Sequence, residues 1–107
     1  MGAIFTINEG DLPWSDYHDS ESPTAIRFKA LTRQAPDAPS MQYIEYGPGQ
    51  ADPVHRHEEG EVFIVTDGEL WVGDTRVGPG GLIFVPADTD YAVRAGEEVT
   101  RYFRVVV

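Results

Sequence analysis

The 107-residue sequence contains no cysteine. That absence excludes disulfide bonds, thiolate metal sites and cysteine nucleophiles together. Positive charge is also scarce, because eight Lys and Arg residues oppose 18 Asp and Glu residues and give a formal net charge of −10. Such an acidic chain repels phosphate backbones and anionic lipid headgroups, so we expect no nucleic-acid partner and no membrane partner.

Long apolar segments are missing as well. The longest uninterrupted ones, such as 62–65 and 82–85, have four residues, whereas a transmembrane helix needs about 20. The first residues contain no basic segment followed by an apolar core, so we predict no signal peptide and a cytoplasmic protein. Leu, Ile, Val and Phe still make up 26 of the 107 residues, which is enough to build a core.

The chain is rich in β-forming residues separated by turn residues. Val occurs 11 times and Leu only 4 times, while Gly and Pro together contribute 19 residues. This composition predicts an all-β antiparallel barrel or sandwich with little helix. Within one domain, we predict an N-terminal edge strand and irregular arm over 1–24 and a barrel over 25–107. The predicted strands are 3–7, 25–31, 41–46, 54–57, 61–66, 69–72, 75–77, 82–85, 91–94 and 99–107.

One group of residues has the side-chain types of a metal site. His55 and His57 are two positions apart, so on a strand both imidazoles project to the same face. By the same parity Glu61, Phe63 and Val65 share that face once the chain has turned. Two imidazoles and one carboxylate suit a divalent iron, manganese, nickel or zinc ion. The alternative interpretation is a solvated pair of histidines on an acidic surface.

The spacing of these residues is informative. Five residues separate Gly49 from His55, three separate His57 from Glu61, and six separate Glu61 from Gly68. This run resembles the first sequence motif of the cupins at every fixed position. Because the chain is independently predicted to consist of short strands, the resemblance favours a metal site over a solvated surface pair.

The second cupin motif is matched in part. Gly80 and Pro86 have its spacing, and the resemblance as a whole covers roughly residues 40–107. The remaining positions depart from the pattern, with Asp88 for a glycine, Tyr91 for the third histidine and Ala95 for an asparagine.

The resemblance implies a cupin-type β-barrel, also called a double-stranded β-helix or jelly roll, which is open at one end. It implies that His55, His57 and Glu61 bind one divalent metal ion per chain inside this barrel, with Tyr91 at the fourth ligand position. Cupins commonly pair, so it also implies a homodimer.

Three roles are open for Tyr91. It could ligate as a phenolate, because a metal ion can lower the phenol pKa from about 10. It could instead serve as an acid or base beside an open coordination position, or only pack in the barrel mouth. We favour the second role and predict that Tyr91 is catalytic, with Val93 on the same inward face. His18 in the arm is either a further ligand or a solvated loop histidine.

Several other residues are candidates for the pocket. The strand before the first motif directs either Gln42 and Tyr46 or Tyr43 inward, depending on its parity. The predicted apolar wall contains Phe63, Phe84, Tyr102 and Phe103. An inward arginine would hold a substrate carboxylate, and the sequence offers four of them: Arg27, Arg94, Arg101 and Arg104.

These features predict a metal-dependent monocupin enzyme that acts on a small oxygen-rich organic substrate by Lewis-acid chelation. Iron would favour a dioxygenase, whereas zinc, manganese or nickel would favour a lyase, isomerase or cyclase. A fold does not choose among such activities. Two alternatives are a non-catalytic cupin that binds or senses a small ligand and a metal-free accessory barrel.

Overall fold

The computed structural model describes residues 3–17 and 26–107. In these ranges the regular secondary structure is all β-strand apart from one short 3-10 helix at Glu9–Asp11, and the predicted fold class is confirmed. None of the described elements is a helix of the length and hydrophobicity needed to cross a membrane. The strands are β1 Ser15–Tyr17, β2 Ile26–Ala30, β3 Met41–Tyr46, β4 Glu61–Asp67, β5 Leu70–Val72, β6 Thr75–Val77, β7 Leu82–Val85, β8 Arg94–Ala95 and β9 Thr100–Val106.

The strands form two antiparallel sheets. The larger has the order β1-β2-β3-β9-β4-β7, and the smaller has the order β6-β5-β8. The last strand, β9, therefore lies at the centre of the larger sheet between β3 and β4. This placement brings Arg104 directly opposite both Gln42 and Phe63.

Alternation along the central strands separates two faces of the larger sheet. In β4, Glu61, Phe63 and Val65 are buried, whereas Ile64 between them is exposed. We call the side that contains Phe63 and Tyr102 the inner face. Its side chains join those of Leu70 and other residues of the smaller sheet in one core, so the two sheets enclose a common interior.

Three strand predictions need correction. Residues 3–7 form no strand, and Ser15–Tyr17 inside the predicted irregular arm pairs with β2. The predicted strands 54–57 and 91–94 are mostly absent; a single bridge joins His55 to Tyr91, and β8 begins only at Arg94. Pro53 has no N–H to donate and an acidic turn follows His57, so a longer ladder does not form here.

Two residues have left-handed backbone conformations that matter for the motifs. Gly68, in the turn between β4 and β5, has φ +70°, and a Cβ atom there would lie 2.5 Å from Thr100 Oγ1. Only glycine fits such a close approach. Asp88 occupies the position where the second motif has glycine, and it keeps a positive φ of 56°. The backbone at this turn therefore adopts a conformation that glycine favours, although the side chain has changed.

The N-terminal segment covers part of the outer face. Trp14 stacks on Tyr43 with ring centroids 5.5 Å apart, and Arg27 and Lys29 lie 4.9 and 4.6 Å from the Trp14 ring. Tyr43 also stacks on Phe103. Trp14 therefore covers Tyr43 and its neighbours on the outer face of β2 and β3, while the inner face is free to line a cavity.

A candidate metal and substrate site inside the barrel

The inner face borders a cavity of about 500 Å³. Much of its wall is aromatic or aliphatic, and its polar groups are concentrated in a few side chains. The predicted residues His55, His57, Glu61 and Tyr91 all line it. The other described residues of the lining are Tyr17, Ile26, Phe28, Gln42, Ile44, Tyr46, Gln50, Ala51, Asp52, Pro53, Phe63, Val93, Tyr102 and Arg104.

Glu61 is the most buried charged group of the site. Its side chain is 1% exposed, and it begins β4 on the inner face. The Tyr91 hydroxyl donates a 2.7 Å hydrogen bond to Glu61 Oε1, and Arg104 Nε donates to Glu61 Oε2. Arg104 Nη1 also donates to Gln42 Oε1 at 3.1 Å. A buried carboxylate requires such partners, because water cannot solvate it.

The two histidines lie beside this carboxylate. His55 Nδ1 is 2.9 Å from the Pro53 carbonyl oxygen, which can only accept, so Nδ1 carries a proton and Nε2 is the ring nitrogen available to a metal ion. Metal-binding histidines are commonly oriented by such a bond from the other ring nitrogen. The rings of His55 and His57 are edge-to-face with centroids 4.9 Å apart. His57 Nε2 lies 3.5 Å from Glu61 Oε1.

These donors fit a divalent cation in their chemistry and in part of their geometry. Two ligands at about 2.1 Å from one ion lie about 3.0–3.4 Å apart, which is close to the His57–Glu61 separation. A carboxylate has about four lone-pair sites, so the bonds from Tyr91 and Arg104 leave room for an ion at Oε1. Among the residues that the structure describes, however, no three His, Asp or Glu side chains are assembled as they would be around an ion.

Tyr91 is held beside the same carboxylate by its backbone. Tyr91 N donates to His55 O and His55 N donates to Tyr91 O, both at 2.9 Å. The rings of these two residues have centroids 4.4 Å apart. Burial, followed by the hydrogen bond to the Glu61 carboxylate, raises the pKa of Tyr91. The structure thus shows a phenol that donates to Glu61.

A second polar group lies elsewhere on the cavity wall. The Tyr46 hydroxyl donates to Asp52 Oδ2, and burial, followed by the neighbouring Tyr102 and Asp52 groups, raises the pKa of Tyr46. From the sequence, Tyr46 and Tyr102 are expected only as lining residues, and Asp52 is not among the expected site residues. The signal available was its position inside the first motif, three residues before His55.

The remaining predicted residues divide between the two faces. Gln42 and Tyr46 line the cavity, whereas Tyr43 lies on the outer face. Phe63 and Tyr102 line the cavity as predicted. The prediction is wrong for Phe84, which is 59% exposed, and for Phe103, which stacks on Tyr43, because both have the outward parity of their strands.

The structure also shows where the four candidate arginines lie. Arg27 and Arg101 pair with Glu45 on the outer face, and Arg94 lies over the Trp71 ring. Of the described residues around the cavity, Arg104 is the only Lys or Arg. The inward arginine anticipated by the sequence is therefore Arg104. His18, the other candidate ligand, lies outside the described residues.

Two antiparallel sheets that share one core, with a cavity on the inner face of the larger sheet and a two-histidine, one-glutamate group in its lining, define a small barrel protein with an internal site. The family model described as "Cupin domain" matches residues 42–106. This chain belongs to the cupin family.

Solved structures of similar fold share little sequence with the chain. A candidate acetylacetone dioxygenase from Methylibium petroleiphilum aligns with a TM-score of 0.82 and 14% identity, over 99% of this chain and 78% of that one. The polyketide cyclase RemF from Streptomyces resistomycificus gives 0.74 and 24%, over 97% and 78%. A protein predicted to be an oxalate decarboxylase, from Thermotoga maritima, gives 0.78 and 11%, over 96% and 98%. At these identities the likeness establishes the fold alone. No curated protein sequence matches the chain.

Proposed function

We propose that this chain is a metal-dependent cupin enzyme that acts on a small oxygen-rich organic molecule. The observation that carries the proposal is the convergence of His55, His57, Glu61 and Tyr91 on one cavity of about 500 Å³. A cavity of this size is within the range of small-molecule sites, which are mostly apolar with a few convergent polar groups.

In this proposal His55, His57 and Glu61 hold the ion. The Pro53 carbonyl fixes the tautomer of His55, and Arg104 and Tyr91 fix the orientation of the Glu61 carboxylate. Partners of this kind orient ligands and tune a metal site. Arg104 and Tyr91 are then supports of the ligand set, and Tyr91 itself is not a ligand.

When bound, a divalent ion supplies Lewis acidity to the oxygens of the substrate. The chain itself contributes a proton donor, the Tyr91 hydroxyl, beside these substrate oxygens. The Tyr91 hydroxyl, now directed at Glu61 Oε1, can redirect its hydrogen bond to an oxygen on which negative charge develops. Acid–base assistance of this kind typically contributes about 10²–10⁴-fold to the rate.

The reaction class is set by the ion and the substrate. Iron would support dioxygenase chemistry, and zinc, manganese or nickel would support a lyase, isomerase or cyclase. The activities named for the similar folds, a dioxygenase, a decarboxylase and a cyclase, are all compatible with this range.

Metal content is the experiment that tests the proposal. Protein purified without a polyhistidine tag is analysed by plasma mass spectrometry, and we expect about one divalent ion per chain. His57→Ala leaves only two ligands and is expected to lose most of the metal, whereas Glu59→Ala, in the adjacent exposed turn, is expected to keep it. A His57→Ala variant with unchanged metal content would show the ligand assignment to be wrong.

A second function, metal-free binding of a small ligand without catalysis, has one observation in its favour. Both oxygens of Glu61 already have hydrogen-bond donors, and one of these donors is the Arg104 cation. The carboxylate is thus compensated without an ion. Wild-type protein with no metal above background would favour this function over the enzyme.

We expect the working unit to be a homodimer. On the outer face, Leu82 and Phe84 of the edge strand β7 are 60% and 59% exposed and pair with Ile64 and Val62 of β4. Contiguous exposed apolar side chains of this kind commonly mark protein–protein contacts. Light scattering after size-exclusion chromatography is expected to give twice the chain mass, and Phe84→Glu is expected to reduce it. A wild-type monomer at micromolar concentration would contradict the expectation.

A further inference from the structure

We propose that Arg104 and Gln42 form a carboxylate-binding subsite within the cavity, so that the molecule bound there is a small organic acid with an apolar body. The inference rests on the proposed function for the rest of the site, since it names the class of substrate for the same cavity. It can nevertheless be tested without turnover.

The first argument is the unused donor capacity of Arg104. A guanidinium has five N–H donors in a fixed plane. Within the described residues, Arg104 uses Nε toward Glu61 and Nη1 toward Gln42, and its Nη2 makes no hydrogen bond. Its side chain is 22% exposed. The group is therefore anchored through two of its nitrogens, and Nη2 still has donors for a ligand oxygen.

The second argument is the orientation of Gln42. Its Oε1 accepts the bond from Arg104, so the Gln42 amide nitrogen is left as a donor. Gln42 and Arg104 are direct cross-strand partners on the inner face, and both line the cavity. A guanidinium and an amide N–H₂ side by side suit the two oxygens of one carboxylate, because charge-assisted hydrogen bonds to anions are the strong ones.

The third argument is charge. Arg104 is the only Lys or Arg among the described lining residues of the cavity, in a chain of net charge −10. In the proposed enzyme a divalent ion would neutralise Glu61 and leave the Arg104 charge uncompensated. An anionic group on the ligand then restores the balance.

The fourth argument concerns the body of the ligand. On the inner face, Phe63 is the direct neighbour of Arg104 on β4. Phe28, Ile44 and Val93 add apolar surface to the same cavity. A carboxylate attached to an aromatic ring or a short aliphatic chain matches this combination, whereas a fully hydrated polyanion would leave the apolar wall uncovered.

The test uses benzoate and its uncharged isostere benzamide as probes, with affinities measured by isothermal titration calorimetry on zinc-loaded wild-type protein. We expect benzoate to bind about tenfold more tightly than benzamide, as a charge-assisted contact predicts. Arg104→Gln is expected to abolish this preference. Arg101→Gln is the matched control, because Arg101 lies on the same strand and pairs with Glu45 on the outer face.

A second variant covers the outcome in which Arg104→Gln fails to fold or loses zinc. Gln42→Leu leaves the Arg104–Glu61 pair intact and is expected to reduce the benzoate preference severalfold at unchanged zinc content. Absence of benzoate binding at millimolar concentration, or a preference that survives in both Arg104→Gln and Gln42→Leu, overturns the subsite.

Failure of the proposed function would be recognised separately. If the wild type binds no zinc, the same titrations are performed on the metal-free protein. Loss of the benzoate preference in Arg104→Gln then still supports the subsite while the enzyme proposal fails. Conversely, bound zinc with an Arg104-independent preference rejects the subsite alone.

Discussion

The two faces of the larger sheet contain the same trio of residue types in different surroundings. The inner face has Arg104 paired with Glu61, to which Tyr91 donates a hydrogen bond. On the outer face Arg101 pairs with Glu45, and the hydroxyl of Tyr43 bonds to Thr66 at 2.8 Å. Arg101 and Arg104 lie three residues apart on the same strand, so they differ in parity rather than in chemistry.

The difference between the two pairs is solvation. Glu45 is 13% exposed and is shared by two arginines that are both more than a third exposed, so water moderates its charge. Glu61 is 1% exposed and is compensated by hydrogen bonds from Arg104 and Tyr91, with His57 Nε2 3.5 Å away. A charge pair in water contributes little to stability, whereas a buried one must be compensated in place. A ligand in the cavity can therefore perturb the interactions of Arg104, Glu61 and Tyr91. The interactions of Arg101, Glu45 and Tyr43 lie on the outer face of the sheet.

The largest expected effect comes from removing one hydroxyl on the inner face. Tyr91→Phe keeps the ring and its packing, and we expect about a 10²–10⁴-fold loss of turnover with an intact fold. Tyr43→Phe on the outer face removes a similarly bonded hydroxyl and should leave turnover unchanged. Assays of both variants on the substrate once found, together with circular dichroism, check this. Full activity of Tyr91→Phe would mean that its hydroxyl has no chemical role.

The next effect is on stability. Glu61→Ala leaves Arg104 without its counter-charge in the interior, and we expect a loss of about 3 kcal/mol in the free energy of unfolding. Glu45→Ala is expected to cost less than about 1 kcal/mol, because its partners remain solvated. Urea unfolding of the metal-free proteins measures both values without a contribution from ion binding. Equal losses would remove the distinction between the faces.

Ion binding should stabilise the folded protein through the ligands on its inner face. At a free zinc concentration about 100 times the dissociation constant, the native state gains about 2.7 kcal/mol by mass action. His57→Ala is expected to cancel this gain, and Glu59→Ala is expected to retain it. Thermal unfolding with and without zinc measures the difference; a zinc effect that persists in His57→Ala would indicate binding elsewhere.

The smallest expected effect lies at the turn beside the site. Asp88 has φ +56°, which costs a residue other than glycine some strain, so Asp88→Gly is expected to raise stability by up to about 1 kcal/mol. Its N–H bond to His57 O, at 2.8 Å, is kept. Ala87→Gly next to it has no such strain to relieve and should be neutral or destabilising. A large loss in Asp88→Gly would reveal a role for the side chain.

Much of this architecture could be predicted from the sequence. Strands β3, β6 and β7 have the predicted bounds, because short β-forming segments there end at Gly or Pro turns. The motif spacing also predicted that His55, His57, Glu61 and Tyr91 share one cavity. The strand bounds come from local patterns of β-forming and turn residues, whereas the grouping of the four site residues comes from the resemblance to the cupin motifs.

The parts that could not be predicted depend on packing between distant segments. The sequence predicts Phe84 and Phe103 to face inward because aromatic residues are usually buried, yet Phe103 lies on the outer face and stacks on Tyr43. The choice of Arg104 among four arginines required the register of β9 against β3 and β4. The selection of Asp52 required the position of its hydrogen-bond partner Tyr46, which lies on β3.

The position of Arg104 also has a kinetic consequence. An anionic ligand must approach a chain of net charge −10 before it can reach the cation inside, so long-range repulsion slows its association. Salt screens this repulsion over a Debye length of about 10 Å at 0.1 M. The contacts inside the cavity are screened much less, because they are partly buried. The association rate constant of benzoate should therefore rise with ionic strength, and that of benzamide should not. The acidic exterior would then act as a barrier to entry, and the arginine would govern residence time.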